Sequence, residues 1–497
     1  MTTATAAAPD VTLEQIQNFQ GRYPKQIWSL FFSEMWERFS FYGMRGVLTV
    51  FMVSQLGMAE KVANLQYGAT QAFVYAFTFI GGLFADKILG FRKSLFWGGT
   101  LMVVGSLILA IDPKTFFFLG ISFNIVGTGF FKPNISTMVG QLYKDGDERR
   151  DAGFSLFYSG INIGALLGGY LCVWLGKTYS WNLCFASVAV VMTISVLWFA
   201  FTRHSLGPIG FPPAAVQQKK WLDWAVFGGS LAVIPVIMTM VSKTDYTDYF
   251  MYTIGPLTLA YIGYEMTKYS SVERKKLLAA MVFIIFSIIF WAFFEQSGGS
   301  LALFAANNLK AAELGPVHID PNGVNNAANS AFVIIFAPLL GLVWVWMAAR
   351  KLEPNTVVKF GLGFLFLAGA FGAFYACRFF ANSEGITSLG LFTFAYFVIT
   401  FGELCLSPIG LSIMTKLSPK PLQGVMMGMW FLASAYGQYA AGLLGAGMTS
   451  PKENATAMDK LTSYTDGYGL LAIYALVAGV VLIAISPGVR KLMGDVK

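Results

Sequence analysis

Histidine and charge are both scarce in this sequence. Only 2 histidines occur in 497 residues, and Asp, Glu, Lys and Arg together supply 12% of the chain. Soluble domains carry about 25% charged residues, so this low share excludes an ordinary soluble protein. Both histidines, His204 and His318, fall in predicted loops, so neither is placed to relay protons inside a membrane. If protons move through this protein, carboxylates must carry them.

Cysteine is also rare, with 4 residues in the chain. All of them lie in apolar runs and lack the close spacing of metal ligands, so we expect them to pack as small apolar side chains: Cys172, Cys184, Cys377 and Cys405. The apolar runs also lack a His/Asp/Glu metal cluster and a Ser/His pair. A membrane-embedded enzyme, the alternative from another functional class, therefore has little support, and we expect no metal and no organic cofactor.

Long apolar runs are what the sequence has instead of charge. Hydrophobic residues make up 56% of the chain, and the mean hydropathy is +0.61. A membrane-spanning helix needs about 20 apolar residues. Such runs predict an all-α polytopic membrane protein with fourteen spans, near residues 27–56, 66–88, 93–111, 115–140, 149–175, 181–203, 221–242, 247–267, 275–307, 321–350, 355–379, 387–417, 420–448 and 465–494.

The basic residues predict the orientation of these spans. Most of the 34 lysines and arginines fall in loops on the side of the N-terminus, and short cytoplasmic loops are rich in Lys and Arg. We therefore expect both termini to be cytoplasmic. This topology accounts for the net charge of +8, so no nucleic-acid partner is implied. Residues 1–26 contain no apolar signal-peptide core, and we expect the first span to direct insertion.

The first predicted span contains an unusual set of polar residues. Glu34, Arg38, Tyr42 and Arg45 follow one another at helical spacing, and Glu37 lies beside this stripe. A charged side chain near the bilayer centre costs roughly 2.5–3.5 kcal/mol, so it usually faces a protein interior or a water-filled transport pathway. A structural ion pair is the alternative, but it needs two charges and this helix face has four.

Other ionisable or polar residues interrupt later spans. Lys132 lies in the fourth span, although the side chain of a lysine can also reach an interface. Tyr158 and Asn162 share one face of the fifth span, where they could hydrogen-bond a peptide backbone or tie helices together. Glu295 and Glu403 are single acids in apolar runs of the second half. These positions are therefore candidates for a polar path through the membrane.

Several of these positions belong to patterns of one known family. Residues 34–43 resemble the E-x-x-E-R-F-x-[FY]-Y-G signature of the proton-coupled oligopeptide transporters, a branch of the major facilitator superfamily. F-F-K-P-N at 130–134 and F-Y-x-x-I-N-x-G at 157–164 are similar to further motifs of that family, and the loop at 82–93 looks like the superfamily's cytoplasmic loop. Phe41 departs from the pattern, because many relatives have a tyrosine there.

The resemblance implies a major facilitator fold of two six-helix bundles with two extra helices between them. The predicted boundaries are a cytoplasmic segment at 1–26, an N-terminal bundle at 27–205, a linker with two additional spans at 206–274, and a C-terminal bundle at 275–497. It also implies a proton-driven symporter that imports di- and tripeptides across the inner membrane by alternating access. The proton is the coupling ion, lipid surrounds the protein, and a monomer is expected to function.

The same resemblance assigns roles to individual residues. Proton coupling is expected at Glu34, Glu37, Arg38, Arg45 and Glu295. Gating ion pairs are expected between Arg45 and Glu295, and between Lys132 and Glu403. Peptide contacts are expected from Arg38, Tyr42, Tyr75, Lys132, Tyr158, Asn162, Asn329, Glu403, Trp430 and Ser434, with helix packing as the alternative role of Trp430.

One alternative within transport stays open at this point. Buried basic residues would also suit a carrier of nitrate or another anion. The two acids of the E-x-x-E-R pattern argue against that alternative, because they would repel an anion.

Overall fold

The structure is a computed structural model, and it describes residues 11–314, 317–406, 410–452 and 454–496. The first ten residues of the predicted cytoplasmic segment and Lys497 lie outside the described residues. Helices dominate the described chain, as an apolar environment requires, because a helix satisfies its own backbone hydrogen bonds.

From residue 11 onward, the first half of the chain forms one short α-helix and eight long ones. The short helix α1 (Leu13–Gln17) begins at Thr12, whose side chain and that of Gln15 form a capping box. The long helices are α2 (Ile27–Ser54), α3 (Glu60–Phe84), α4 (Phe91–Ile111), α5 (Phe117–Gln141), α6 (Arg149–Thr178), α7 (Trp181–Thr202), α8 (Lys220–Ser242) and α9 (Thr244–Met266).

The described residues of the second half form eight α-helices and one small hairpin. The helices are α10 (Ser271–Phe294), α11 (Ser300–Asn308), α12 (Pro321–Ala349), α13 (Thr356–Ala376), α14 (Leu389–Leu406), α15 (Gly410–Leu417), α16 (Gln423–Gly447) and α17 (Ala457–Met493). Strands β1 (Ala312–Leu314) and β2 (Val317–Ile319) pair antiparallel, with Ala312 opposite Ile319.

Each predicted span coincides with a long helical segment, and the predicted fold class is confirmed. Two predicted spans are divided. The span at 275–307 becomes α10, a 3₁₀ turn at Glu295–Gly298, and α11; the adjacent Gly298 and Gly299 have low helix propensity. The span at 387–417 becomes α14 and α15, and residues 407–409 between them lie outside the described residues. Helix α17 begins at Ala457, eight residues before the predicted start, because Thr456 and Asp459 form a capping box.

Ten helical segments in the described part of the chain are long and apolar enough to cross a membrane. The long helices α2, α5, α9 and α16 are not among these ten. Helix α2 contains the charged stripe of the first span, α9 contains three acids, and α5 and α16 are rich in glycine. Polar and small residues thus lower the mean hydropathy of these four helices. Two of them, α2 and α5, hold most of the candidate site residues of the first half.

By its internal contacts the chain divides into two compact units. Unit 1 consists of residues 11–44, 77–168 and 175–238, and unit 2 consists of residues 45–76, 169–174 and 239–496. The division passes through α2, α3, α6 and α8. The domain boundaries expected from the sequence remain a prediction.

Each unit has its own apolar core. Helices α4 and α5 pack along each other in unit 1, where Leu95, Met102 and Phe131 are buried. Unit 2 contains a larger aromatic core, in which the ring centroids of Phe374 and Phe392 are 5.2 Å apart. Dense packing of this kind fixes the helices that hold the polar residues described below.

Candidate functional site

The charged residues of α2 form a compact cluster in unit 1. Arg38 Nη2 donates a 2.5 Å hydrogen bond to Glu37 Oε1, and Arg38 Nε contacts Glu37 Oε2. Arg38 Nε also lies 3.2 Å from Glu34 Oε1. The exposed fractions of Glu34, Glu37 and Arg38 are 3%, 0% and 2%. Two buried carboxylates therefore share one guanidinium.

One carboxylate oxygen of this cluster lacks a hydrogen-bond donor among the described residues. Within the described part of the chain, Glu34 Oε2 is buried and accepts no hydrogen bond. A buried carboxylate oxygen without a donor is costly, and a proton on this oxygen would remove much of the cost. The carboxylate oxygen of the cluster that lacks a hydrogen-bond donor among the described residues thus belongs to Glu34.

The ring of Phe41 connects this cluster with Lys132 on α5. The guanidinium carbon of Arg38 lies 4.9 Å from the centroid of this ring, and Lys132 Nζ lies 5.8 Å from it. Both distances are in the range of cation–π contacts. Phe41, which departs from the family pattern, therefore supplies an aromatic face to two cations, and it has no hydroxyl that could bond to either.

Helix α6 approaches α2 closely at the level of Arg38. A Cβ atom at Gly164 would overlap the backbone carbonyl oxygen of Met35 and lie 3.0 Å from Arg38 Cβ, so only glycine fits there. Two residues earlier on α6, Asn162 Nδ2 donates a 3.0 Å hydrogen bond to the carbonyl of Tyr158. Asn162 is buried, and Tyr158 is half-buried on the same helix.

The second charged group lies in unit 2. Arg45 forms an ion pair with Glu295, the first residue of the turn between α10 and α11. Arg45 Nε also donates a 2.7 Å hydrogen bond to the hydroxyl of Tyr67, and Glu295 is buried. The pair expected from the sequence is therefore present, and its role in gating remains a prediction.

Side chains of α2 and α12 stabilise the turn that carries Glu295. Thr49 Oγ1 donates to the carbonyl of Gly298, and Asn325 Nδ2 donates a 2.7 Å hydrogen bond to the carbonyl of Ser297. A broken helix leaves carbonyl groups without intrahelical donors, and in a membrane these groups need another donor. These two bonds supply it and hold Glu295 toward Arg45.

Glu403 on α14 accepts a hydrogen bond from α12, the helix that also carries Asn325. Asn329 Nδ2 donates a 2.9 Å hydrogen bond to Glu403 Oε2 and lies 3.2 Å from Thr400 Oγ1. Asn329 is one turn from Asn325, so a single face of α12 supports both the turn at Glu295 and the carboxylate of Glu403. The pairing of Lys132 with Glu403 stays a prediction, because the two residues belong to different units.

The other residues predicted to contact a peptide pack against neighbouring side chains or bond to the backbone of their own helix. Tyr42 follows Phe41 with ring centroids 5.2 Å apart, and Tyr75 packs against a small cluster of α3, α9 and α16. Trp430 is buried, and its ring would contact a Cβ atom at Gly410 at 2.6 Å. Ser434 donates to the carbonyl of Trp430 at 3.2 Å. Among the described residues, no group of His, Cys, Asp and Glu could hold a metal ion.

Comparison with known proteins gives the family of this chain. The model of the POT family matches residues 92–486. The chain belongs to the POT family. The family resemblance of the sequence motifs is thereby confirmed, and the chain is a multi-pass membrane protein.

Relatives of this POT family member match it along almost its full length. Peptide transporter YePEPT of Yersinia enterocolitica is 32% identical, with 95% of this chain and 96% of that protein covered. The di-/tripeptide transporter of Lactococcus lactis subsp. cremoris is 30% identical, with 95% and 97% covered. The crystal structure of a mutant of peptide transporter POT in complex with alafosfalin has a TM-score of 0.81 and 31% identity, with 98% of this chain and 100% of that chain covered.

A third polar group, around Glu60 in unit 2, was missed by the sequence analysis. Glu60 is the first residue of α3, and its Oε1 accepts hydrogen bonds from Lys460 Nζ at 2.6 Å and from Asn307 Nδ2 at 2.9 Å. Its Oε2 accepts a 2.5 Å hydrogen bond from the hydroxyl of Tyr464. Glu60 thereby links α3 with α11 and α17 in this POT family member.

A weak signal for this group exists in the sequence. Lys460 is one of the few basic residues on the side opposite the N-terminus, where the charge rule disfavours lysine. A lysine in such a place is more plausible when an acid compensates it. The identity of that acid cannot be read from the sequence, because Glu60 and Lys460 are 400 positions apart.

We expect Glu60→Gln to destabilise the protein. The substitution removes the negative charge opposite Lys460 and replaces the charge-assisted hydrogen bonds of Lys460 and Tyr464 by neutral ones. Loss of a charged hydrogen-bonding group of this kind costs about 1–3 kcal/mol of unfolding free energy. Thermal unfolding in detergent measures the effect as a lower Tm. The matched control is Glu384→Gln, which changes an exposed acid in a loop and is expected to leave Tm unchanged; equal Tm values for the two variants would contradict the structural role of Glu60.

Proposed function

We propose that this protein is a proton-driven symporter that imports di- and tripeptides by alternating access. The buried cluster of Glu34, Glu37 and Arg38 carries the proposal, because it places two acids and one base where water is excluded. Relatives named peptide or di-/tripeptide transporters support the substrate class, and so does a related structure with bound alafosfalin.

The proton is proposed to enter the α2 cluster at Glu34. With both acids ionised, Arg38 can neutralise one carboxylate charge and Lys132 is the second base beside the cluster, while Glu34 Oε2 accepts no hydrogen bond from a described residue. Protonation of Glu34 would leave a balanced pair of Glu37 and Arg38 and release Lys132 for a peptide carboxylate. Deprotonation would restore the second carboxylate charge and favour a different arrangement of the surrounding helices.

The two ends of the peptide are proposed to bind groups of opposite charge. Lys132 suits the terminal carboxylate, and Glu403 suits the terminal ammonium group. Asn329 fixes Glu403 through a hydrogen bond to Oε2, which orients the carboxylate before a peptide arrives. Recognition of the two charged ends would place few demands on the side chains of the peptide.

The ion pair of Arg45 and Glu295 is proposed to act as a gate. Protonation of Glu295 would remove its attraction for Arg45 and free the turn that begins α11. The hydrogen bonds of Thr49 and Asn325 to the same turn would then have to break as the gate opens. Opening therefore requires both a proton and the energy gained from the bound substrate or the membrane potential.

The driving force is sufficient for concentrative uptake. One charge moving through a potential of 100 mV gains about 2.3 kcal/mol, and one pH unit contributes about 1.36 kcal/mol. Either contribution alone could therefore maintain, with one proton per peptide, a peptide gradient on the order of tenfold to a hundredfold. The proton is the only coupling ion that the proposal requires, and no organic cofactor or metal takes part.

The proposed location is the inner membrane, with both termini in the cytoplasm. The excess of Lys and Arg in the loops on the side of the N-terminus supports this orientation. Each chain contains a complete set of the proposed coupling and binding residues, which supports a functional monomer surrounded by lipid.

Two alternatives have less support. An anion carrier would use Arg38 and Lys132, but the two acids beside Arg38 oppose a bound anion. A membrane enzyme is disfavoured because the family and the relatives described above are transporters.

Uptake into liposomes tests the proposed function. We expect purified protein to accumulate labelled dialanine and trialanine when a potassium gradient with valinomycin makes the interior negative. A proton uncoupler should abolish the accumulation, because the potential acts through protons. Empty liposomes control for leakage, and excess nitrate should not compete. Uptake that ignores the uncoupler, or competition by nitrate with no peptide uptake, would refute the symporter proposal.

Peptides with blocked ends test the role of Glu403. Glu403→Gln should weaken dialanine binding about tenfold to a hundredfold, because a charged hydrogen bond to the ammonium group contributes roughly 1.5–3 kcal/mol. Gln keeps an oxygen that can accept from Asn329. Competition against labelled dialanine measures the affinities, and N-acetyl-dialanine, which lacks the ammonium group, should bind both proteins equally. An equal loss for the two ligands would assign Glu403 a general structural role.

A further inference from the structure

A cavity that the transport mechanism does not use lies in unit 1. It has a volume of about 720 Å³ and is lined by residues at the start of α4, the end of α7 and the start of α8. Successive spans alternate in direction, so these three helix ends belong to the same membrane face. This face is the one predicted to be cytoplasmic, and lipid headgroups lie at this depth.

The cavity lining has more positive than negative charge. Four of the lining residues are Arg or Lys, and Asp223 is their one acidic counterpart in the lining. Asp223 Oδ2 lies 2.5 Å from Lys93 Nζ, so the negative charge of Asp223 is already balanced by Lys93. Arg92 donates two 2.6 Å hydrogen bonds to the carbonyls of Ile209 and Gly207, and neutral carbonyls leave its charge uncompensated.

Arg203 and Lys220 are the two basic residues at the open side of this cavity. Both are exposed, and the guanidinium carbon of Arg203 lies over the ring of Phe96 at 5.2 Å from its centroid. The ring orients the guanidinium without neutralising its charge. Together with Arg92 they place three cationic groups around one space, which is the arrangement that recognises a phosphate group.

The walls of the cavity are aromatic and continue into apolar surface. The ring centroids of Trp97 and Phe227 are 4.6 Å apart, and Trp97 Nε1 donates a 2.8 Å hydrogen bond to Ser230 on α8. Trp224 is 73% exposed, and Phe201 at the end of α7 is 80% exposed. Aromatic side chains in this position are typical of the membrane interface, and acyl chains can lie against the apolar surface next to them.

We propose that this cavity binds the headgroup of an anionic phospholipid. Arg203 and Lys220 contact the phosphate, and Arg92 adds positive charge from the inner wall. The acyl chains lie along the exposed apolar surface of α4 and α8, where Val104 and Leu231 are 37% and 42% exposed. A free phosphate ion would use the charges alone, whereas a lipid uses both the charges and the aromatic walls.

The bound lipid would stabilise the contact between α8 and α4. Helix α8 meets this cavity through Lys220, Trp224 and Phe227, and α4 meets it through Arg92 and Trp97. The segment at 207–212 that joins α7 to α8 forms part of the lining and is held by Arg92. Lipid binding would thus fix the connection between the first six spans and the two additional ones.

Native mass spectrometry of the full-length protein in neutral detergent tests this site. The protein is titrated with phosphatidylglycerol, with zwitterionic phosphatidylcholine, and with inorganic phosphate. The measured quantity is the phosphatidylglycerol concentration at which half of the protein carries one lipid. We expect this concentration to be about thirtyfold higher for the double variant Arg203→Gln/Lys220→Gln, because each basic residue near an anionic lipid contributes roughly a fivefold factor in affinity. Arg92 is left in place, since it holds the linker.

The matched control is Lys219→Gln/Lys275→Gln, which removes the same charge from exposed positions on the same face outside the cavity lining. This control and the charge-conserving Arg203→Lys should bind phosphatidylglycerol as the unmodified protein does. Equal binding by the cavity variant, or equal binding of phosphatidylcholine, would overturn the proposal. Inorganic phosphate binding as tightly as phosphatidylglycerol would assign the cavity to a free anion and overturn the lipid assignment.

Discussion

One guanidinium shared by two buried carboxylates is the interaction on which this structure depends. Arg38 contacts both Glu34 and Glu37 in a part of α2 where all three side chains are buried. Ionised groups in such a place are expensive unless their charges are balanced and hydrogen-bonded. Helix α6, which approaches closely at Gly164, and the aromatic ring of Phe41 pack against Arg38.

The polar groups of unit 2 follow the same rule, with backbone groups added to the charges. Helix α10 ends at Phe294, and α2 and α12 donate hydrogen bonds to carbonyls of the turn that begins at Glu295. One turn along α12, Asn329 holds Glu403. Each acid is therefore fixed by a polar side chain on a neighbouring helix. A change in the charge of one acid would alter the stability of the helix contacts around it, which is the coupling that a symporter needs.

Much of this arrangement could be predicted from the sequence, because charged residues are rare within membrane-spanning runs and are easily recognised there. The apolar runs predicted the long helices, and the acids and bases of α2 stood out against them. The break at Glu295 was missed because Gly298 and Gly299 are a short interruption in a long apolar run. The contacts of Glu60 with Lys460 and of Asn329 with Glu403 could not be predicted, since they join helices far apart in the chain and depend on how those helices pack.

Peptide-driven proton flux is the measurement that tests the central role of the α2 cluster most directly. Liposomes with a trapped pH dye and no membrane potential would receive dialanine from outside, and exchange of labelled for unlabelled dialanine would be followed in parallel. If the cluster carries the proton at Glu34, Glu34→Gln should lose the internal acidification and retain peptide exchange, whereas Glu384→Gln should retain both. Acidification by Glu34→Gln at the rate of the unmodified protein would contradict this account.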